Sequence, residues 1–242
     1  ILWIVVASAQ SGCSKLVDVE GPGTSLPDKD VFRYDNTAIG AVTTLYSSLS
    51  AAYPQYGGEL STLSVFAGLS ADELVLYSGS GSMELHAFYK NELNSTVVES
   101  DDYWGTVYKN MYRVNAALQG INASGELTPA VKNQLLGELR FMRAFYYFYL
   151  VNLYGDVPLI LGTNYEENTK ARKTPRQVVY QQIIDDLKEA QSLLNEKYLS
   201  ADLVTAYTTG NEERVRPTKW AATALLARVY LYTGDWTNAE TQ

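Results

Sequence analysis

The stretch from Glu138 to Ile160, ELRFMRAFYYFYLVNLYGDVPLI, constrains this chain more than any other. Between Phe141 and Leu153 only Arg143 and Asn152 are clearly polar. Folded as a helix, the run presents apolar or aromatic side chains on every side, and such a helix belongs inside a protein or inside a membrane. It falls short of the roughly 20 apolar residues that a bilayer span needs, and its tyrosines suit a core or an interface. Its exit is marked: Gly155 can take a left-handed position at the helix end, and Pro158 forbids continuation. Arg140 and Arg143, three residues apart, are expensive to bury unless paired. The expected partner is Glu138 or a carboxylate from a neighbouring element, Asp156 among the candidates.

The 242 residues suffice for one large domain, and an apolar fraction of 46% supplies its core. The net charge of -8, with no basic patch, excludes nucleic acid as a partner. One cysteine makes no internal disulfide and one histidine makes no metal cluster, so no metal or cofactor is expected. The 19 tyrosines combine an apolar ring with a polar tip, as core edges and carbohydrate- or peptide-facing surfaces require.

In chain order, Ile1 to Ala9 is a short apolar run followed by Gln10-Ser11-Gly12-Cys13. It reads as the apolar part of a secretory signal whose small-small-Cys ending makes Cys13 a bacterial lipidation site. Residues 14–35, with Gly21, Pro22, Gly23 and Pro27, read as an extended tether. Residues 36–242 form the folded domain. A helix is expected from Asn36 to about Ala52, ended by Tyr53-Pro54, with Ala38, Val42, Leu45 and Leu49 on one face. Residues 60–100 lack a periodic core face and read as a long loop with short helical turns at most. Capped by Asp102, Tyr103 to about Gln119 is amphipathic through Trp104, Val107, Tyr108, Met111, Val114 and Leu118, with Trp104 a core residue. Thr128-Pro129 starts the helix that runs on to about Tyr154. Thr174-Pro175-Arg176-Gln177 offers a capping box for a helix burying Val179, Ile183, Leu187, Ala190 and Leu194, with Asp185, Asp186, Lys188 and Glu189 on its solvated face. After a polar loop at 198–216, a last helix runs from Lys219 to about Tyr232, closed by Thr233-Gly234-Asp235. There Leu226, Ala227, Tyr230, Gly234, Trp236 and Ala239 have tetratricopeptide-repeat (TPR) spacing. The predicted fold class is all-α, TPR-like helical hairpins with long irregular loops.

Catalysis finds little support. Glycoside hydrolysis needs two carboxylates across a cleft. The pairs Asp72/Glu73, Asp101/Asp102, Glu166/Glu167 and Asp185/Asp186 have no geometric partner that the sequence can name. His86 is isolated in the irregular region, and the Ser78 to Ser82 run lacks the lysine and strand-to-helix setting of a phosphate loop. The predicted role is binding, with no enzyme activity. Candidate ligand contacts are Asp72, Tyr77 and Tyr89, because a long ordered loop often carries function and aromatic rings suit sugar faces.

Glu138, Arg140, Phe141, Arg143, Ala144, Tyr146, Tyr147, Phe148, Leu150, Val151, Tyr154, Gly155, Val157 and Pro158 stand in the register of E-x-R-F-(L/M)-R-A-x-Y-Y-F-x-L-V-x-x-Y-G-x-V-P. This resembles the signature helix of the SusD/RagB family, nutrient-binding lipoproteins of the Bacteroidetes outer membrane. The run from Trp104 through Tyr108 to Asn115 and Leu118, and the segment after Cys13, resemble the family as well. Glu138, Arg140, Arg143, Tyr147, Gly155 and Pro158 are its structural signature here. The resemblance implies the TPR-containing N-terminal portion of a longer protein, anchored through Cys13 on the outer face of the outer membrane. It implies a non-catalytic protein that passes glycans, or less often peptides, to a TonB-dependent (SusC-like) transporter. The rivals are a TPR protein-interaction scaffold and a secreted glycosidase.

Overall fold

The computed structural model describes residues 28–50, 59–94, 96 and 103–242. Cys13, the leader, most of the tether, Tyr53-Pro54 and the Asp101/Asp102 pair lie outside the described residues. Ten helices and one two-stranded sheet are described: α1 Asp28–Val31, α2 Asp35–Ser50, α3 Glu59–Ser70, α4 Met83–Tyr89, α5 Tyr103–Ala123, α6 Pro129–Tyr154, β1 Val157–Pro158, α7 Tyr165–Asn168, β2 Lys173–Thr174, α8 Arg176–Leu193, α9 Lys219–Thr233 and α10 Trp236–Thr241. The fold is all-α with TPR-like helix pairing, as predicted.

α6 is the axis of the molecule. Fifteen of its 26 residues are buried, among them Leu135, Leu139, Met142, Tyr146, Tyr147 and Leu150. Its longest seam runs along α8, and α5 closes it from another side. α8 in turn packs on α9, and α9 on α10. Each of these helices contributes a stripe at helical spacing: Val107, Met111, Val114, Leu118 and Ile121 from α5, then Val179, Ile183, Leu187 and Ala190 from α8. α6 and the end of α8 approach closely at Gly137, where an added Cβ would stand 2.8 Å from Leu194 Cγ. In the repeat-like hairpin Leu226 and Tyr230 are buried, Ala227 and Ala239 are half-buried, and Trp236 remains 67% exposed. Trp104 is half-buried too, its ring 4.9 Å from those of Tyr108 and Tyr154.

The helix ends correct several expectations. Residues 60–100 hold two helices, α3 and α4, where a loop is expected. The α3 sequence ELSTLSVFAGLS has no sharp amphipathic period. Tertiary contacts stabilise it, including a parallel stack of Phe66 on Phe88 of α4 with centroids 4.3 Å apart. The Thr174 capping box does not form: Thr174 lies in β2, pairing with Val157. The first turn of α8 is instead satisfied from a distance, the Arg176 N–H donating to Asp156 Oδ1 at 2.9 Å. Thr128 makes no side-chain cap, although Pro129 does open α6. α6 does end at Gly155, whose N–H donates to Val151 O at 3.1 Å, but with φ +73° and ψ -122° the glycine lies outside the left-handed helical region expected for it.

Candidate functional site

The signature residues of α6 form two separate polar sites in the core. In the first, Arg143 grips Asp186 of α8 with two bonds, Nε to Oδ2 at 2.8 Å and Nη2 to Oδ1 at 2.6 Å. Its remaining Nη1 donates to Asn115 Oδ1 of α5 at 3.1 Å. Arg140 reaches the same Asp186 Oδ1 at 3.4 Å and Glu189 at 2.6 Å. A neighbouring helix therefore supplies the partner, as expected, but it is α8. Asp156 is occupied as the cap of α8, and Glu138 pairs elsewhere. Asp186 is 1% exposed and does not lie on a solvated face. Its place, three residues after Ile183 and four before Ala190, puts it on the buried arc of α8.

This ion pair fixes the chain beyond α6. Asn115 Nδ2 donates to Ile160 O at 3.0 Å, and the Tyr147 hydroxyl donates to the same carbonyl at 2.9 Å while accepting from Ile160 N at 2.6 Å. The Tyr108 hydroxyl donates to Pro158 O at 2.8 Å. Burial pushes both tyrosine hydroxyls well above the ordinary range. These phenols stay neutral and act as hydrogen-bonding struts. In the second site Glu138, 0% exposed, accepts from Arg216 Nη1 at 2.7 Å, Gln134 Nε2 at 3.0 Å and the Tyr46 hydroxyl at 3.0 Å. Burial raises its carboxyl group above the usual value, and Arg216 opposes that rise.

The surface candidates lie on the α3–α4 hairpin. The hairpin is tied by Ser70 Oγ donating to Phe88 O at 3.1 Å and Asn91 Nδ2 donating to Ser70 O at 3.1 Å. Asp72, exposed and at φ +60°, begins the connection. Tyr77 is 77% exposed, with its ring laid against Gly79, where a Cβ would come within 2.5 Å of it. Tyr89 is half-buried at the end of α4. The structure gathers these three on one hairpin without joining them in one cavity. An open hollow of about 260 Å³ along α4 and the residues after it is lined by Met83, His86, Ala87, Lys90, Glu92 and Asn94. It places an amine, a carboxylate, an amide and an imidazole beside an apolar floor, a set able both to donate and to accept hydrogen bonds. The sequence signal for α4 is Ser82, which caps it by accepting from Leu85 N at 3.2 Å. His86 is helical, 3.0 Å from Ser80 O through Nε2.

None of the carboxylate pairs considered for catalysis gains a facing partner among the described residues. Asp186 is consumed by arginines, Asp185 accepts from Gln181, and Glu166 and Glu167 sit in the first turn of α7 over the Asn164 cap. Among the described residues no group of three or more His, Cys, Asp or Glu could hold a metal ion, and no helix is long and apolar enough to cross a membrane.

A sequence profile of SusD-like proteins, described as starch-binding and associating with the outer membrane, matches residues 26–231. The chain belongs to the SusD-like family. A SusD-like protein of Formosa agariphila is 28% identical over 241 residues, covering 99% of this chain and 44% of that protein. Another from the same organism is 24% identical over 248 residues, covering 98% and 43%. The SusD-like chain thus spans less than half the length of these relatives. Among solved structures, a laminarin-binding SusD-like protein superposes with a TM-score of 0.66 at 26% identity, over 85% of this chain and 41% of that one. A SusD-like carbohydrate-binding protein of Bacteroides fragilis gives a TM-score of 0.68 at 25% identity, over 87% and 39%. The signature on α6 therefore identifies the family through residues that build its scaffold.

Proposed function

We propose that this chain is the helical portion of a cell-surface lipoprotein that captures oligosaccharides and passes them to a TonB-dependent outer-membrane transporter, without catalysis. The observation that carries this is the family match over residues 26–231, in a family described as starch-binding and associated with the outer membrane. The laminarin-binding relative supports a glycan as ligand. In this reading residues 1–13 are a leader ending in the lipidated Cys13, residues 14–35 are the tether, and residues 36–242 are the helical domain. The α3–α4 hairpin contributes ligand contacts: Tyr77 offers a ring face to a sugar, and Asp72, Tyr89 and the polar hollow offer hydrogen bonds.

The test is calorimetric titration of the full-length protein with laminarin and starch oligosaccharides, with casein peptides as the competing ligand class. Glycan binding is expected, weakened about fivefold by Tyr77→Ala with an unchanged melting temperature, since stacking of this kind contributes about 1 kcal/mol. Binding of peptides alone, or release of reducing sugar that a single carboxylate substitution abolishes, would overturn it.

A further inference from the structure

Residues 195–218 join the end of α8 to the start of α9, running largely exposed over the surface and anchored by the buried Leu203 and Thr218. Leu203, in the middle, is 1% exposed and held at φ +57°. An antiparallel bridge between Leu199 and Ala206 and the bonds Ser200 N–H to Thr205 O (2.8 Å) and Tyr207 N–H to Tyr198 O (3.0 Å) give this strap its shape. Both of its ends lead to one carboxylate. At the first end the Asn195 N–H donates to Gln134 Oε1 at 3.0 Å, and Gln134 Nε2 donates to Glu138 Oε1 at 3.0 Å. At the second end Arg216 donates through Nη1 to Glu138 Oε2 at 2.7 Å and through Nη2 to Thr43 Oγ1 at 2.5 Å. The guanidinium also lies over the ring of Tyr46, 5.4 Å from its centroid. Glu138 thus joins α6, α2 and the strap at a single point.

We propose that Glu138 is a proton-operated clasp: its carboxylate holds the 195–218 strap against α6 and α2 through Arg216, and protonation releases the Arg216 end. The asymmetry of the pair sets which partner moves. The Glu138 side chain has no exposure, whereas that of Arg216 has 14%, so the arginine has the short path to water. Among the described residues the polar and charged groups that face Glu138 are Arg216 from the strap, Tyr46 from α2 with Tyr146 near its hydroxyl, and Gln134 on α6 itself. Arg140 and Arg143 turn toward Asp186 and cannot replace Arg216. Burial, the largest influence on Glu138, raises its carboxyl group above the usual 4.5 and moves the release toward mildly acid pH. The sign gives the device a signature. A raised value means that the folded chain binds more protons than the unfolded one in this window, so acidification through it does not weaken the whole fold through Glu138. The strap loosens while the core holds.

Hydrogen exchange of the full-length protein, corrected for intrinsic rates, tests this between about pH 7 and about pH 4. Strap amides not held by Asp202, Leu203 and Tyr207 among them, are expected to lose protection about tenfold on acidification while α6 amides keep theirs, the scale of one charge-assisted hydrogen bond. Glu138→Gln, which imitates the protonated side chain, should show the loosened strap at every pH with no pH dependence. Arg216→Gln should do the same. If Arg216→Gln does not fold, the natural protein and Glu138→Gln still decide the matter. Strap protection that is unchanged by acidification, or a pH response that persists in Glu138→Gln, would overturn the clasp.

Discussion

Asp186 carries the negative charge for two arginines of α6, and the two depend on it differently. The Arg143 side chain is 8% exposed and is bound twice by Asp186, whereas that of Arg140 is 21% exposed and also reaches Glu189, itself 53% exposed. Removing one partner of a buried pair leaves an uncompensated charge, which costs about 3–5 kcal/mol, while a solvent-facing pair contributes about 1 kcal/mol or less. Asp186→Ala is therefore expected to be among the most destabilising single substitutions in α8. Glu189→Ala should shift stability by less than about 1 kcal/mol. Urea midpoints of the two variants measure the difference, and equal losses would show that Arg143 finds another anion. The identity of Arg143 as a paired core residue was legible from its apolar surroundings. The identity of its partner was not, because Asp186 lies 43 residues away and its neighbours Asp185 and Glu189 are charged as well.

At the scale of elements, α8 is started by a residue outside itself. Asp156 leaves the α6 exit and caps Arg176, so that the turn around Gly155 and the start of α8 are one structural unit. Asp156→Ala is expected to cost about 1 kcal/mol, as for loss of an N-cap. Thr174→Val should spare the cap, because its hydroxyl makes only a 3.4 Å contact with Leu159 N. Thermal denaturation of both variants distinguishes this arrangement from a local capping box, in which Thr174 would be the costly position. The strap has a comparable local knot. Asp202 accepts from Ser200 Oγ, from Val204 N, and from both the hydroxyl and the N–H of Thr205. The Thr205 hydroxyl bond first, then the backbone bonds, hold its carboxyl group below the usual 3.8. A lowered value means that the knot is in force above the usual aspartate range and is lost as pH falls beneath it. Protection of the Val204 and Thr205 amides should therefore persist at pH 4 and collapse only in stronger acid. In Asp202→Asn that acid step should be absent. A collapse of the same size in Asp202→Asn would assign it to another group.

For the whole molecule, the proposed function places the helical domain outside the cell on a lipid anchor. Cys13→Ala in the full-length protein is expected to move it from the membrane fraction to the soluble fraction, read by fractionation and immunoblot. Undiminished membrane association would count against lipidation at Cys13. One acyl chain gives only marginal, reversible binding, so release should be nearly complete if the lipids on this residue are the whole anchor. In this arrangement α6 and its ion pairs supply rigidity, and the α3–α4 hairpin, with Tyr77 and the hollow beside α4, meets the ligand.

The all-α class, the burial of α6, its exit at Gly155, the starts and ends of α5 and α9 to within a few residues, and the family are legible in the order of the amino acids alone. These follow from side-chain periodicity and from Gly and Pro at helix ends, which act over a few neighbouring residues. That α3 is helical follows from packing instead, the Phe66–Phe88 stack compensating for its weak amphipathic period. Packing alone assigned Asp186 to the arginines, Asp156 to α8 and Arg216 to Glu138, 78 residues away. Each carboxylate carries the same charge and could accept the same bonds. Which one meets which cation depends on where packed helices bring them, and that distance is set by the core as a whole.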